Sequence, residues 1–440
     1  MRLSPFAPPT NLAGCPSLLL GPSIIASALL ASALVALAAV AAEAADSSIP
    51  SGRVVPVDGE PFEARLVARD TTGAWIFESD AGRRVVAADD LVRWGRPVEP
   101  SRGPIAVLID GGILPAEPVR IEGGHAVLES DSLGNVRVPL ESLAGLIFAW
   151  PAGRVEQDRF VERLLQANGS SDRVLLANGD WLTGVVAAFD GRSLRVDNDG
   201  ESNDLPRDRL GAVVFNPALR SPPPATDART WIGLDDGSRF LVERLAMEDG
   251  SPRIKPLAAS VADWRAEASR CVFIQPLTGR AAYLSDRADD GYRHVPFLDL
   301  AWPHRADRNV LGGILRAGGD PHLKGLGMHS LSRLTYLLNE PVERFEAELA
   351  LDDRAEGGGS VRYYVFVDRQ RRLSSDPVRG GDRPVPIRVD LTGAKRLDLV
   401  VDFGERADQL DYANWLDARL IRPKKTPGGS EEPPGDDGRP

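Results

Sequence analysis

The stretch of sequence that most suggests chemistry is KGLGMHSLSRLTY, from Lys324 to Tyr336. It places glycines, a lysine and a histidine directly before an apolar run. A catalytic histidine needs a nucleophile or an acid as its partner, and a zinc site needs further imidazole or thiolate ligands. The chain has five histidines and no HxH or HExxH spacing. We therefore interpret His329 as a structural or hydrogen-bonding residue, with Gly325 and Gly327 allowing a tight turn into the next strand.

Paired carboxylates are the other common catalytic feature. A glycoside hydrolase needs two carboxyl groups about 5 to 10 Å apart across a sugar cleft. The chain has 63 Asp and Glu residues, so pairs of carboxylates occur throughout it. Such pairs therefore do not indicate a catalytic site. We expect a protein without catalytic activity and keep a glycoside hydrolase of unfamiliar type as an alternative.

Several aspartates stand near the ends of predicted strands, where oxygen-rich loops can hold calcium. Aspartates in such loops also cap turns while remaining solvated, and this alternative stays open. The candidate metal ligands are Asp352, Asp353, Asp411 and Asp417.

A sugar-binding site uses an exposed aromatic ring that stacks on the sugar and a few polar side chains that bind its hydroxyl groups. We expect Trp415 to belong to the core instead. The candidate sugar-binding residues are Trp302, His329, Tyr364, Tyr412 and Asn414.

The charge and composition of the chain restrict its partners and its fold class. A net charge of −11 provides no basic surface for phosphates, so we expect no nucleic-acid partner. The 35 prolines and 43 glycines favour many short strands joined by turns. The sequence therefore predicts a mostly β protein.

Residues 1–44 have the pattern of a signal peptide, with an apolar stretch from Leu18 to Ala42 and a small-x-small motif that predicts cleavage before Ala45. The alternative is an uncleaved membrane anchor, because Ile24 to Ala42 is long enough to cross a bilayer. Either reading predicts a secreted or periplasmic protein. After cleavage Cys271 is the single cysteine, so no intrachain disulfide can form.

The middle of the chain repeats itself. VLIDGG at 107–112 and VLLANG at 174–179 align without a gap as far as LAGLIF at 143–148 and LGAVVF at 210–215, a constant offset of 67 positions. Asn-Gly and Asp-Gly pairs in these copies predict tight hairpins. Together with weaker copies before and after, the pattern predicts three or four small β-barrel-like or curled-sheet units.

The sequence also predicts the connections between these units. Apolar residues at helical spacing indicate a short helical connector at 154–170, and Ala259 to Glu267 is a possible further helix. The predicted β units cover residues 53–100, 101–153, 171–220 and 229–290, with a Pro-rich linker at 221–228 and a disordered tail at 423–440.

Longer and cleaner alternation follows from about Val295. Phe345, Ala347, Leu349 and Leu351 share one face of a strand, with Glu346 and Glu348 on the other. Strands with one apolar face need a facing sheet, so a two-layer β-sandwich is predicted. Further strands are predicted around residues 361–367, 385–391, 397–403 and 414–421.

This region also resembles a known family. KGLGMHSLSRLTY, FEAELALDD, GGGSVRYYVFVD and VDLTGAKRLDLVVDFGERADQLDYANWLDARLI occur in the order found in the NPCBM module, a carbohydrate-binding domain first noted beside family 98 glycoside hydrolases. The resemblance covers residues 295–422. It implies a galactose-binding-like jelly-roll sandwich on an exported bacterial protein, with a glycan, galactose-containing ones included, as partner.

The hypothesis from the sequence is an exported protein that binds glycans weakly, with calcium as a candidate structural ion. The alternative is an envelope scaffold or protein-interaction module that binds no sugar. The protein would contact a membrane only through an uncleaved N-terminal segment.

Overall fold

A computed structural model describes residues 50–222, 229–248, 251–258 and 263–424. The predicted leader at 1–44, most of the linker at 221–228 and the tail beyond residue 424 lie outside these ranges. Within them, no helix is long and apolar enough to cross a membrane. The described residues all fall in the same structural unit.

The first repeat unit is a curled antiparallel sheet. Its strands are β1 (Gly52–Pro56), β2 (Phe62–Arg69), β3 (Trp75–Ser79), β4 (Gly82–Val86) and β5 (Leu91–Gly95). The first strand pairs with both β2 and β5, and β2, β3 and β4 pair in succession. The spatial order is therefore β4-β3-β2-β1-β5, with a 3-10 turn just before the last strand.

Three further units repeat this order. The second comprises β6 (Ile105–Leu108), β7 (Ile113–Pro115), β8 (Glu117–Glu122), β9 (His125–Ser130), β10 (Gly134–Pro139) and β11 (Leu143–Ile147). The third comprises β12 (Asp172–Leu176), β13 (Trp181–Phe189), β14 (Ser193–Asn198), β15 (Glu201–Pro206) and β16 (Leu210–Val214). The fourth comprises β17 (Thr230–Leu234), β18 (Arg239–Glu248), β19 (Ser251–Pro256), β20 (Trp264–Arg265) and β21 (Cys271–Pro276).

The four units support one another through their last strands. In each unit the first strand pairs with the last. The last strands then pair between units, β11 with β16 and β5 with β21. Units of this size bury little apolar area alone, so shared sheets and a shared core stabilise them. Trp94, Leu146, Val213 and Ile274 belong to one buried cluster that runs through all four units.

The helix α1 (Arg154–Leu165) lies where the spacing predicts one. Val161 and Leu164 are buried against β6 and β11. A Cβ at Gly145 would lie 2.2 Å from the Val213 carbonyl oxygen and 2.6 Å from Leu164 Cδ2, so only glycine allows this approach. Short 3-10 turns occupy Ala88–Asp90, Leu140–Ser142, Arg207–Arg209, Pro217–Leu219, Ala268–Arg270, Leu284–Asp286 and Asp353–Ala355.

The prediction of a possible helix at Ala259 to Glu267 is wrong for residues 263–267, the part that the structure describes. Trp264 and Arg265 form β20, which pairs with β19. The Trp264 ring packs edge-on against Phe240 at a centroid distance of 5.1 Å. Burial of this large ring against the fourth unit favours the strand.

The C-terminal region is a two-sheet sandwich. Its strands are β22 (Ala281–Tyr283), β23 (Gly291–His294), β24 (Arg305–Ala306), β25 (Leu315–Ala317), β26 (Asp320–His322), β27 (Gly325–His329), β28 (Ser332–Leu337), β29 (Arg344–Leu351), β30 (Ser360–Val367), β31 (Gln370–Ser374), β32 (Val378–Arg379), β33 (Val385–Asp390), β34 (Arg396–Phe403) and β35 (Tyr412–Ile421). One sheet has the order β24-β27-β35-β29-β33, with β22 beside β35. The other has the order β23-β28-β34-β30-β31, with β32 beside β30.

The predicted fold class is confirmed: a mostly β chain of small units followed by a sandwich. Leu349, Val365, Leu399 and Trp415 are fully buried between the two sheets, as the alternation predicts. The boundary at Val295 lies too late, because β22 and β23 already pair with β35 and β28. Strands of three or four residues are too short to show an alternating pattern.

Gly325 and Gly327 lie inside β27 and not in a turn before it. A Cβ at Gly327 would lie 2.3 Å from the Arg308 carbonyl oxygen, and one at Gly325 would lie 2.6 Å from the Trp415 carbonyl oxygen. These glycines therefore allow other backbone segments to approach the strand closely. Lys324 before them is buried and pairs with two carboxylates, those of Asp286 and Asp307.

The outer face of the β29–β35 sheet is buried, contrary to the expectation of a half-buried sheet. The repeat units cover this face. Charged side chains of the repeat units form ion pairs with charged side chains of the sandwich. Arg93 of β5 lies 3.1 Å from Asp417 and 3.4 Å from Glu348. A second group of contacts joins Arg280 to Asp58, Asp90 and Glu343.

Leu399→Ala should lower the free energy of unfolding by about 2–5 kcal/mol, because it removes buried methyl groups and leaves a cavity between the two sheets. Leu337→Ala is the matched control, since Leu337 on β28 is 42% exposed. It should change the free energy by less than about 0.5 kcal/mol. Urea denaturation followed by tryptophan fluorescence measures both, and similar losses would contradict the assigned core.

Candidate binding site

Three of the five predicted sugar-binding residues come together at one end of the sandwich. His329 ends β27 and is paired in register with Tyr412, which begins β35. The Trp302 ring stacks on the His329 ring with centroids 4.8 Å apart and planes 9° apart. The Tyr412 ring lies 6.3 Å from Trp302 and 6.1 Å from His329. We call Trp302, His329 and Tyr412 the aromatic cluster.

A network around one carbonyl oxygen orients these rings. His329 Nδ1 lies 2.8 Å and His294 Nε2 lies 3.1 Å from the Ser330 carbonyl oxygen, and both nitrogens donate to it. His294 Nδ1 accepts from the Trp302 backbone N–H at 3.3 Å, which fixes the tautomer of His294. These contacts hold Trp302 beside the end of β27.

His329 is neutral at pH 7 and keeps one free acceptor. Burial lowers the pKa of His329 below its ordinary value, and the nearby His294 acts in the same direction. Since Nδ1 carries the proton, Nε2 has a lone pair, and no described residue donates to it. His329 is only 2% exposed, so its ring supports the Trp302 ring and does not itself form an open surface.

Asp411 holds the backbone next to the aromatic cluster through two hydrogen bonds. Its carboxylate accepts from Ser330 Oγ at 2.5 Å and from the Ser360 backbone N–H at 3.0 Å. Burial raises the pKa of Asp411 to about 6, although both hydrogen bonds act against this shift. The residue therefore ties β27, β30 and β35 together at the end of the sandwich where the cluster lies.

Asn414 and Tyr364, the other two predicted sugar-binding residues, lie elsewhere. Asn414 is 0% exposed, and its Nδ2 donates to Asp352 at 2.9 Å. It is a core residue because β35 runs through the middle of its sheet. Tyr364 lies on β30 of the other sheet, where the Arg371 guanidinium packs over its ring.

The four aspartates predicted as calcium ligands do not form one site. Each accepts from protein donors at its own place: Asp352 from Asn309, Arg316, Arg354 and Asn414, Asp353 from Gly318 and Gly319, Asp411 from Ser330 and Ser360, and Asp417 from Gln275. Among the described residues, no group of three or more His, Cys, Asp or Glu could hold a metal ion. Calcium binding stays a prediction, and these four residues do not supply a common ligand set.

Sequence reasoning missed His294 and the apolar segment that follows it. Phe297, Leu298 and Leu300 are exposed immediately before Trp302. The Phe297 ring contacts Phe403 edge-on, with centroids 6.0 Å apart. The PFLDL stretch shows neither helical nor strand periodicity, and its unusual concentration of apolar residues is the available sequence signal.

Residues 283–421 match the family model of the NPCBM/NEW2 domain. The chain carries an NPCBM/NEW2 domain. The match begins in β22, before Val295, in agreement with the strand pairing. The resemblance noted in the sequence is thereby confirmed for this part of the chain.

Two curated relatives match the same region. An α-1,3-galactosidase B of Akkermansia muciniphila is 31% identical over 117 residues, which are 26% of this chain and 15% of the relative. A protein of Renibacterium salmoninarum, named as an endo-α-N-acetylgalactosaminidase, is 29% identical over 110 residues, 25% of this chain and 7% of the relative. The chain thus spans a small fraction of the length of both relatives.

Solved structures similar to this chain include carbohydrate-binding modules. A CBM51 module of a Clostridium perfringens GH95 protein, in complex with methyl-galactose, is 23% identical with a TM-score of 0.30 and covers 32% of this chain and 99% of that one. The tandem CBM51 modules of a family 98 glycoside hydrolase from Streptococcus pneumoniae are 13% identical with a TM-score of 0.30, covering 57% of this chain and 88% of theirs.

Asp411→Asn should change how the free energy of unfolding depends on pH between about 4 and 6. The folded pKa of about 6 lies above the ordinary value of 3.8, so folding favours the protonated carboxyl. The stabilising contribution of Asp411 is present below pH 4 and is lost as the pH rises through 6. Urea denaturation at each pH should show wild type losing stability relative to the variant over this range.

Asp390→Asn is the control for this measurement. Asp390 is exposed, and hydrogen bonds from Thr392 lower its pKa below 3.8. Its contribution is lost only as the pH falls below that value, so the sign and the pH window both differ. The same pH profile for the two variants would contradict the assignment to Asp411.

Proposed function

We propose that the sandwich binds a glycan at the aromatic cluster. One observation carries this proposal: Trp302, His329 and Tyr412, far apart in sequence, converge at one end of a domain of a carbohydrate-binding family. Aromatic rings stack on the apolar face of a sugar, and neighbouring polar atoms bind its hydroxyl groups. The cluster provides both kinds of group.

The chemistry of the cluster suits a neutral sugar. Trp302 and Tyr412 are half-buried, so parts of both rings remain available to a ligand. His329 is uncharged at pH 7 and 2% exposed, so it supports the Trp302 ring and adds no charge to the site. A galactose-containing glycan is the candidate ligand, supported by the name of the galactosidase relative.

The protein acts by binding, and its own chain performs no reaction in this proposal. The family match covers a binding module, whereas the names of the relatives belong to much longer enzymes. The leader predicted at residues 1–44 supports export to the periplasm or the exterior, with an uncleaved anchor as the alternative. Export would bring the module to extracellular glycans.

A second candidate function is an envelope scaffold that binds a protein. The exposed apolar side chains of Phe297, Leu298 and Leu300 beside the cluster favour it, because exposed apolar patches often mark protein interfaces. The two functions differ in which residues the partner needs. A glycan needs the rings of the cluster, and a protein needs the apolar segment.

Trp302→Ala should weaken binding of galactose-terminated glycans at least tenfold, a loss of about 1.4 kcal/mol, because it removes the stacking surface. Isothermal titration calorimetry on the mature protein, after a glycan array has identified a ligand, measures this. Tyr364→Ala is the control and should bind like wild type, since Tyr364 lies on the other sheet.

The same titrations with a calcium chelator test the predicted ion. A calcium-dependent module would lose binding in chelator and regain it with added calcium. Absence of glycan binding in the wild type under both conditions would overturn the glycan proposal. Equal loss in Trp302→Ala and Tyr364→Ala would remove the assignment to this cluster.

A further inference from the structure

A separate cavity of about 520 Å³ lies between the repeat units and the sandwich. Three parts of the chain form its walls. The repeat units contribute Asp110, Trp231 and Arg239, α1 contributes Glu162, and the segment after β24 contributes Arg308. No member of the aromatic cluster lines this cavity, so the two sites are distinct.

Arg239 is the most unusual residue in this wall. It is 6% exposed. Its guanidinium makes no direct hydrogen bond or ion pair with another described residue, and Glu99 and Asp158 attract its charge from a longer distance. An unpaired buried charge is strongly unfavourable, and buried cations are normally bound by carboxylates or by ligands. A negatively charged group next to Arg239 would therefore be stabilising.

The two carboxylates that attract Arg239 electrostatically, those of Glu99 and Asp158, are already bound to another arginine. Arg316 donates to both oxygens of Asp158, at 2.7 and 2.9 Å, and to Glu99 at 3.0 Å. Arg154 lies 3.2 Å from the second oxygen of Glu99. Asp158 and Glu99 thus act on Arg239 only at longer range.

A second arginine adds to the positive charge around Arg239. Arg308 is half-buried and lines the same cavity. It donates Nη1 to the Asp307 carbonyl oxygen at 2.8 Å, which is an uncharged acceptor. Burial and the charge of Arg308 together lower the pKa of Arg239 to about 10, so Arg239 remains cationic at pH 7. An anion between them would relieve this repulsion.

The rest of the wall suits a sugar ring. Trp231 at the start of β17 is half-buried and offers an aromatic face. Asp110 and Glu162 add carboxylate oxygens, which accept hydrogen bonds from hydroxyl groups. A small inorganic anion would satisfy the arginines but leave most of the 520 Å³ unused. Cavities of roughly 300–1,000 Å³ are typical of small-molecule sites.

We propose that this cavity binds a sugar acid, with the carboxylate between Arg239 and Arg308 and the ring against Trp231. The ligand is a uronic acid or the uronate end of a short oligosaccharide. A neutral sugar leaves Arg239 unpaired, and this requirement for a negative charge distinguishes the cavity from the aromatic cluster. The inference does not depend on the function proposed for that cluster.

Isothermal titration calorimetry of the mature protein tests this inference with four probes: galacturonate, glucuronate, glucose and inorganic sulfate. Wild type should bind at least one uronate and give no heat with glucose. Arg308→Gln should weaken uronate binding at least tenfold, and Arg239→Met should abolish it. Arg83→Gln, at an exposed position of β4, is the matched control and should bind like wild type.

Thermal unfolding provides an independent readout. Without ligand, Arg239→Met should unfold at a higher temperature than wild type, because it removes an unpaired buried charge. With uronate, wild type should gain thermal stability and the variant should not. If Arg239→Met fails to fold, Arg308→Gln decides the question.

Three results would overturn the proposal. The first is no uronate binding by the wild type. The second is equal uronate binding by the wild type and Arg308→Gln, and the third is sulfate binding without uronate binding. Trp302→Ala should keep its uronate binding, so failure at the aromatic cluster and failure at this cavity are distinguishable.

Discussion

The rest of this structure depends on the burial of charged side chains between the sandwich and the repeat units. Glu346 on β29 is 5% exposed and is surrounded by Arg344, Arg388 and Arg419. Asp417 is equally enclosed and faces Arg93 of the first unit. Removing one partner of a buried ion pair costs about 3–5 kcal/mol, because the other charge is left without compensation. Such pairs tolerate little displacement, so they define how the sandwich sits on the repeats.

This placement separates two binding surfaces. The β29–β35 sheet turns its outer face to the repeat units, and Trp302, His329 and Tyr412, the site proposed for a glycan, lie at one end of the sandwich. The same junction encloses the cavity around Arg239, whose walls come from both parts of the chain. The repeats thus stabilise the binding module and form a second site with it.

Much of the fold follows from local patterns in the sequence. The alternation from Phe345 to Leu351 reflects which side chains of one strand face the core, and it is visible in the sequence itself. The 67-position offset shows that two units have the same strand order, and in both the first strand pairs with the last. The ion pair of Glu348 could not be foreseen, because its partner Arg93 lies 255 positions earlier. Asn414 was predicted to bind sugar for the same reason: its partner Asp352 in the core is 62 positions away. The sequence suggested Trp302, His329, Tyr412 and Tyr364 alike, because all four are aromatic. The order of the strands shows that Tyr364 lies on the other sheet, away from the first three.

Calorimetric unfolding of a protein that spans residues 45–440, compared with a fragment that spans residues 281–424, tests the coupling between the two parts most directly. The buried ion pairs predict one cooperative transition for the longer protein and a lower transition temperature for the fragment, whose β29–β35 sheet would expose Glu346 and Asp417 to water. Two separate transitions in the longer protein, one at the temperature of the isolated fragment, would contradict this account.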